Sequence, residues 1–180
     1  MSWIQTYTGK KFSPLNPQAA DVDIRDIAHA LALKCRFCGH CRVFYSIAEH
    51  SVRVSRILPA HLAMAGLLHD AAETYLADMG RPVKHAMYVH RAGQIESFTV
   101  VEDRLLEVIA HALHLPPIDY EAIAEAYTIL LATEARDLMA PPPEPWELGV
   151  APLTERIEPL GATEAEAAFL ERFAELRRGT

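Results

Sequence analysis

The sequence predicts an all-α domain of about six helices with a small β arm at its N-terminal end. In most segments after Asp23 the apolar side chains recur with the 3.6-residue period of a helix, and prolines or glycines separate these segments. No repeat of the length that builds solenoids is present. The 180 residues suit one domain, whose core we place at about residues 20–139.

The first part of the chain divides into an arm and two helices. Residues 3–12 alternate apolar and polar side chains around Gly9, which is typical of a hairpin or an extended arm. A first helix begins after Asp23, whose carboxylate suits the N-cap position. A second helix covers residues 46–58 and directs His50 toward the core.

The stretch AMAGLLHDAAETYLADM, residues 63–79, predicts a third helix because it is rich in Ala and Leu. Helical spacing places His69 and Glu73 on one face and turns Asp70 by about 100° from His69. Such groups are rarely buried without a partner, since an unpaired charge in apolar surroundings costs several kcal/mol. A bound cation would satisfy the imidazole and the carboxylates together.

The second part of the chain predicts three more helices. A long fourth helix covers residues 91–115 and ends at two prolines, and a fifth covers 120–139. Four prolines then indicate an extended link over residues 140–161. A last amphipathic helix follows at 162–178.

Composition excludes several classes of function. A net charge of −7 argues against nucleic-acid binding, which depends on clustered Lys and Arg. No apolar run approaches the roughly 20 residues of a membrane helix, and the N-terminus lacks the pattern of a signal peptide. We therefore expect a cytoplasmic protein without a membrane or nucleic-acid partner.

All three cysteines lie in the motif CRFCGHC, as Cys35, Cys38 and Cys41, together with His40. The Cys-x2-Cys spacing is found in zinc sites. Structural zinc sites usually take their second pair of ligands from a distant segment, however, and here all four groups fall within seven residues. We favour free thiols, and a zinc-binding interaction module stays open as an alternative.

Three motifs occur in a fixed order: YSIAEHS, then LLHDAAETYLAD, then TEARDLM in a later helix. In this order the chain resembles the HD-domain metal-dependent phosphohydrolases over about residues 3–139. It is most similar to their small 5′-deoxynucleotidase-like branch, which includes phage dATP triphosphohydrolase relatives. The resemblance implies the HD-domain helical bundle as the fold.

The resemblance implies one divalent metal ion, held by His50, His69 and Asp70. Imidazole nitrogens and a carboxylate suit Mn, Co, Fe, Ni, Zn or Mg, so these ligands do not select the metal. Relatives place a fourth ligand, an Asp, where this chain has Tyr127, and a phenol is a poor ligand near neutral pH. Tyr127 is therefore a doubtful ligand, and Asp137 is a weak substitute nearly three helical turns further on.

The resemblance also assigns roles around the metal. Glu73 and Asp78 correspond to the family's acidic residues, which activate water or protonate the leaving oxygen. Arg36 and Lys84 correspond to basic residues that bind phosphate, and Phe37 to an aromatic residue near the sugar. Each of these also has a structural reading as an ordinary helix, cap, surface or core residue.

These roles predict a 5′-nucleotidase that releases phosphate from a deoxynucleoside monophosphate. The alternatives are a dNTP triphosphohydrolase, or a nucleotide-binding protein with catalysis impaired by Tyr127. Small relatives form dimers or larger rings, so we expect a homo-oligomer with the C-terminal helix as a candidate contact. We expect Glu134 of TEARDLM to be structural, in a salt bridge with Arg136 or as a loop anchor.

Overall fold

A computed structural model describes residues 2–91 and 93–179 of the chain. Within these residues there are seven α-helices and two antiparallel β-hairpins of two strands each. None of the described helices combines the length and the apolar character needed to cross a membrane. The predicted all-α class with a small β arm is confirmed.

The helices range from the short α4 to the long α6, and the longest connection lies between α6 and α7. The helices are α1 (Ile24–Leu33), α2 (Ile47–Ile57), α3 (Ala60–Leu68), α4 (Arg81–Ala86), α5 (Phe98–Ala112), α6 (Tyr120–Leu138) and α7 (Ala162–Arg178). The strands are β1 (Ile4–Gln5), β2 (Lys11–Phe12), β3 (Tyr88–Arg91) and β4 (Gln94–Ser97).

Side-chain caps begin several helices, and the cap predicted at Asp23 is confirmed. The carboxylate of Asp23 accepts a hydrogen bond from the backbone N–H of Arg25 at the start of α1. The hydroxyl of Ser46 accepts one from Glu49 at the start of α2. Each cap satisfies one of the backbone donors that a helix leaves unpaired at its N-terminus.

The prediction of one continuous third helix over residues 63–79 is wrong. Helix α3 ends at Leu68, and a 3₁₀ turn at Ala71–Thr74 follows. The hydroxyl of Tyr120 donates to the carbonyl of His69 at 2.7 Å, and Lys34 Nζ donates to the carbonyls of the 3₁₀ turn. These tertiary hydrogen bonds occupy carbonyls that a continuing helix would use.

The break in the third helix changes where Asp70 points. Its backbone leaves the helical region, with φ −98° and ψ 12°. The carboxylate therefore lies on the same side as the imidazole of His69, with Oδ2 3.2 Å from Nε2, instead of being turned away by a helical step.

The predicted fourth helix over residues 91–115 also begins too early. Strands β3 and β4 form a hairpin in which Tyr88 faces Ser97, and Gly93 takes a φ of +81°, which glycine adopts at little cost. Ser97 then caps α5 through the backbone N–H of Val100. The hairpin and the short helix α4 were not predicted. The prediction followed the weak helical period of the apolar residues, whereas the turn at Gly93 determines the structure here.

Helix α2 lies at the centre of the molecule and contacts α1, α3, α6 and α7. Gly66 permits the approach of α3, because a Cβ atom there would lie 3.3 Å from the backbone of Ser55 on α2. Helix α7 packs on α1, α2 and α3 and buries Ala165 and Phe169 completely. Its apolar face is therefore used within the chain, and its role as an oligomer contact stays a prediction.

We expect Phe169→Ala to lower the free energy of unfolding by about 3–5 kcal/mol, because the buried ring leaves a cavity. Urea unfolding of the metal-free protein measures the change. Glu171→Ala, an exposed position on the same helix, is the control and should change stability by about 0.5 kcal/mol at most. A Phe169→Ala protein as stable as the parent would contradict the packing of α7 on the core.

Candidate metal centre and cleft

Three side chains of metal-ligand type converge between α2 and the end of α3. The Nε2 atoms of His50 and His69 lie 3.2 Å apart. Oδ2 of Asp70 lies 3.6 Å from Nε2 of His50 and 3.2 Å from Nε2 of His69. Over residues 2–91 and 93–179, these three form the group of His, Cys, Asp or Glu side chains whose ligand atoms all lie within 4.8 Å.

The outer nitrogen of each imidazole is occupied by an acceptor. Nδ1 of His69 donates to the carbonyl of Gly66 at 2.8 Å, and Nδ1 of His50 donates to Oε1 of Glu134 at 2.6 Å. Burial and the charge of Arg36 lower the pKa of His50, so this ring is neutral at neutral pH. A neutral imidazole that donates from Nδ1 presents a lone pair at Nε2, the form that binds a metal ion.

The carboxylate of Asp70 completes the set of electron-pair donors. Burial alone would raise its pKa, but His69, His50 and Arg36 lower the pKa below its usual range, so the group is ionised. Among the described residues, its buried Oδ2 atom accepts no hydrogen bond. A cation placed between this oxygen and the two Nε2 atoms would satisfy all three, so the residues fit a divalent metal ion.

Glu134 fixes the orientation of His50 and was missed as a site residue. Its other oxygen, Oε2, accepts from Nε of Arg36 at 3.0 Å. Burial would raise the pKa of Glu134, but His50 and Arg36 lower it to about 2, so the carboxylate stays ionised. Carboxylates of this kind orient histidines in metal sites. The predicted salt bridge between Glu134 and Arg136 is wrong.

Arg136 and Asp137 anchor the following segment and lie outside the three-residue cluster. Both oxygens of Asp137 bind Arg136, and they also accept from Arg156 and from the backbone N–H of Ile157. The alternative of Asp137 as a fourth metal ligand is therefore wrong, because its carboxylate is already neutralised and faces the segment after α6.

Tyr127 lies against the candidate metal centre. Its ring meets the rings of His50 and His69 edge-on, with centroids 5.5 and 5.7 Å away. Its hydroxyl accepts from Nη2 of Arg36 at 3.0 Å. The residue therefore forms a wall of the cluster, and its oxygen atom is paired with a guanidinium group.

The cluster opens into a cleft of about 1030 Å³. Every sequence-predicted residue outside the buried histidines lines this cleft: Arg36, Phe37, Asp70, Glu73, Asp78, Lys84 and Tyr127. The sequence therefore identified a set of residues that the fold brings to one place.

Glu73 has the most perturbed environment of the cleft carboxyl groups. Its side chain is 7% exposed, and the buried Oε2 atom has no hydrogen-bond partner among the described residues. Burial and the negative charges of Asp70 and Asp78 raise its pKa to about 9. Glu73 therefore carries a proton at neutral pH and is available as a proton donor.

Asp78 and Lys84 both line the cleft and have different partners. Oδ2 of Asp78 accepts from the backbone N–H of Cys38 at 3.1 Å, which ties it to the loop that carries Phe37. Nζ of Lys84 lies 2.5 Å from Oε2 of Glu102, and although burial lowers the pKa of this lysine, the hydrogen bond and charge of Glu102 raise it overall. Lys84 is therefore a cation held by one carboxylate.

Three further cleft residues were missed by the sequence analysis. Glu102 forms an ion pair with Lys84, and the hydroxyl of Tyr120 donates a hydrogen bond to the carbonyl of His69. Trp146 comes from the proline-rich segment and also lines the cleft. Glu102, like Glu134, interrupts the apolar face of its helix, and that interruption was a usable signal. Tyr120 and Trp146 gave no signal, because their positions depend on tertiary contacts.

The CRFCGHC motif contains free thiols, as favoured. Sγ of Cys38 donates to the carbonyl of Asp78, whereas Sγ of Cys41 donates to the carbonyl of Arg36. Within the described part of the chain these cysteines and His40 do not form a cluster able to hold a metal. The alternative of a zinc site in this motif stays untested.

Fold and site together define a helical protein with a candidate metal centre of two imidazoles and one carboxylate at the floor of a cleft. The chain belongs to the family of Escherichia coli (strain K12) YfdR, whose full name is "Uncharacterized protein YfdR". The two are 36% identical over 179 residues, which is 98% of this chain and 96% of YfdR.

A second relative is an uncharacterized protein of Rhodobacter capsulatus. It is 33% identical over 151 residues, which is 76% of this chain and 73% of that protein. No protein-family model matches the chain.

We expect Glu134→Gln to weaken binding of a divalent metal about 10- to 100-fold, because the amide no longer fixes the tautomer and orientation of His50. Calorimetric titration with Mn, Co or Zn measures the affinity. Glu49→Gln is the matched control, since Glu49 is another buried glutamate but pairs with Arg53. Equal losses in both variants would show that the effect is not specific to His50.

We expect Glu73→Gln to stabilise the metal-free protein at pH 8 but not at pH 4.5. The folded-state pKa of about 9 lies above the ordinary value of 4.5, so the parent loses stability as the pH rises between these values. The amide has no proton to lose, and its advantage at pH 8 is about 5 kcal/mol. Urea unfolding at several pH values tests this, and parallel curves for the two proteins would contradict it.

Proposed function

We propose that the chain is an HD-type metal-dependent phosphohydrolase that acts on a small deoxynucleotide as a 5′-nucleotidase. One observation carries the proposal. Two imidazole nitrogens, each with its outer N–H already engaged, face a buried carboxylate oxygen that accepts no hydrogen bond within the described residues. This donor set lies at the floor of a cleft large enough for a nucleotide.

His50, His69 and Asp70 would hold the metal ion. A bound divalent ion supplies two effects, namely polarisation of a phosphoryl oxygen and a lower pKa for a bound water. The order of the AEHS, LLHDAAE and LAD motifs supports phosphate-ester hydrolysis as the reaction, through the resemblance to HD-domain phosphohydrolases. The same resemblance supports a nucleotide as the substrate.

The chain's own residues would handle protons and negative charge. Glu73, protonated at neutral pH, would donate a proton to the leaving oxygen, because it lines the cleft beside Asp70. Asp78 keeps one carboxylate oxygen beyond the one bonded to Cys38 and would accept a proton from water. Lys84 and the Nη1 group of Arg36, 3.7 Å from Asp70, would offset the charge of the phosphate.

A second candidate is a nucleotide-binding protein that does not turn over. It is favoured by Tyr127, which stands where relatives have a metal-binding Asp and whose hydroxyl is paired with Arg36. In this candidate the metal ion and the nucleotide bind but no phosphate is released. The triphosphohydrolase alternative differs from both in its product, which is tripolyphosphate.

We expect purified protein to release phosphate from deoxynucleoside monophosphates, to lose this activity with a chelator and to regain it with a divalent ion. His69→Ala should reduce the rate about 100-fold or more with the helical circular dichroism unchanged, because it removes a ligand. His61→Ala, which changes an exposed histidine in the first turn of α3, is the matched control and should retain full activity.

Phosphorus NMR of the product separates phosphate from tripolyphosphate. Metal binding without any phosphate release would favour the non-catalytic candidate. Activity that persists in metal-stripped protein would contradict the proposal.

A further inference from the structure

One part of the cleft is apolar and aromatic, and neither the metal chemistry nor the proton transfers use it. Trp146 belongs to it and is 40% exposed, so part of its indole ring is open to the cleft. The apolar lining residues of this part are Phe37, Leu131, Met139 and Trp146. Leu131 lies in α6 and Met139 directly follows it, whereas Trp146 comes from the proline-rich segment.

The rings of Phe37 and Trp146 meet at an angle and do not stack face to face. Their centroids are 6.2 Å apart and the rings are tilted by 52°. In the core, by contrast, Phe12 and Tyr75 stack at 3.6 Å with only 8° between the rings, so each covers a face of the other. A tilted aromatic pair at a cleft mouth offers π-surface to a ligand, whereas a parallel stacked pair does not.

Phe37 is held in place by its surroundings. Its φ of +56° and that of Cys38, +52°, are left-handed values that cost energy for residues with a side chain. The hydrogen bond from Cys38 to Asp78 fixes this loop, and the guanidinium carbon of Arg36 lies 5.0 Å from the centre of the Phe37 ring. One face of the Phe37 ring is therefore occupied, and Trp146 is the more open of the two.

The segment that carries Trp146 is fixed to α6 at several points. The backbone N–H of Leu153 donates to the hydroxyl of Thr133 at 2.9 Å, and Arg136 donates to the carbonyl of Glu155 at 2.8 Å. Four prolines between residues 141 and 145 restrict the backbone immediately before the tryptophan. The indole ring is therefore presented by a constrained segment.

We infer that Trp146, supported by Phe37, is a stacking platform for the planar heterocyclic base of a ligand bound in this cleft. Stacking on an aromatic ring is favourable for every base, because each base has a π-face. The cleft contains both Trp146 and Asp70, so one ligand can place a phosphate near the cluster and a base on the indole. The position of a phosphate near the cluster rests on the proposed function. The stacking of a base on Trp146 rests on the geometry of the aromatic side chains.

Fluorescence of Trp146 tests the platform directly. The chain has two tryptophans, and Trp3 is not among the residues that line the cleft, so Trp3→Phe leaves Trp146 as the single reporter. In the presence of a chelator, we expect saturable quenching by deoxyadenosine 5′-monophosphate and by deoxyadenosine, and none by deoxyribose 5-phosphate. No quenching by either base-containing probe, or an equal response to the sugar phosphate, would overturn the inference.

Substitution of Trp146 tests its contribution to binding. We expect Trp146→Leu to weaken binding of deoxyadenosine, measured by calorimetry, about 5- to 100-fold, the range that stacking on one aromatic ring supplies. Trp146→Phe should restore most of the affinity, and both variants should keep the parent's melting temperature because the side chain is half-exposed. Affinity for the nucleoside that is unchanged in Trp146→Leu would overturn the inference.

The two proposals fail in different ways. If the protein releases no phosphate with any divalent ion, the proposed function fails, while nucleoside binding in the chelator still decides the platform. If the protein hydrolyses deoxyribose 5-phosphate as well as the nucleotide, and Trp146→Leu changes neither rate, the platform fails and the hydrolase stands.

Discussion

The buried carboxylate of Glu134 is the interaction on which the candidate metal centre depends. One oxygen accepts from His50 on α2 and the other from Arg36 in the loop before α2, so three parts of the chain meet at one completely buried group. Without this carboxylate a buried guanidinium and an imidazole would lose their acceptor. Removal of one partner of a buried ion pair strongly lowers the stability of the fold. Arg36 also binds the hydroxyl of Tyr127, so the position of the cleft wall follows from the same carboxylate.

Much of the fold was predictable because its signals are local. The cap at Asp23 and the apolar period of α1, α2, α6 and α7 gave helix bounds close to those observed. The hairpin around Gly93 is also local but was lost in a long helical prediction. The end of α3 could not be predicted from its own residues, because Tyr120 lies 51 positions further along the chain and acts through a tertiary hydrogen bond.

The residues of the candidate site were likewise predictable where sequence motifs mark them, and not where tertiary contacts place them. Motif order identified His50, His69 and Asp70, and the fold brings them within ligand distance of one another. That Glu134 faces inward was readable from the period of α6, but its partner was not, because Arg136 is adjacent in sequence and Arg36 only in space. Trp146 lies in an irregular segment without periodicity, where sequence patterns say least about position.

The floor and the rim of the cleft belong to different kinds of structure. His50 and His69 stand at the close contact of α2 and α3, where a Cβ atom on Gly66 would lie 3.3 Å from the backbone of Ser55, so these candidate ligands share the rigidity of the core. The aromatic rim instead comes from the loop of Phe37 and from the irregular connection between α6 and α7. Under the proposed function, rim residues could therefore be exchanged to admit a new ligand without changing the candidate metal ligands beneath.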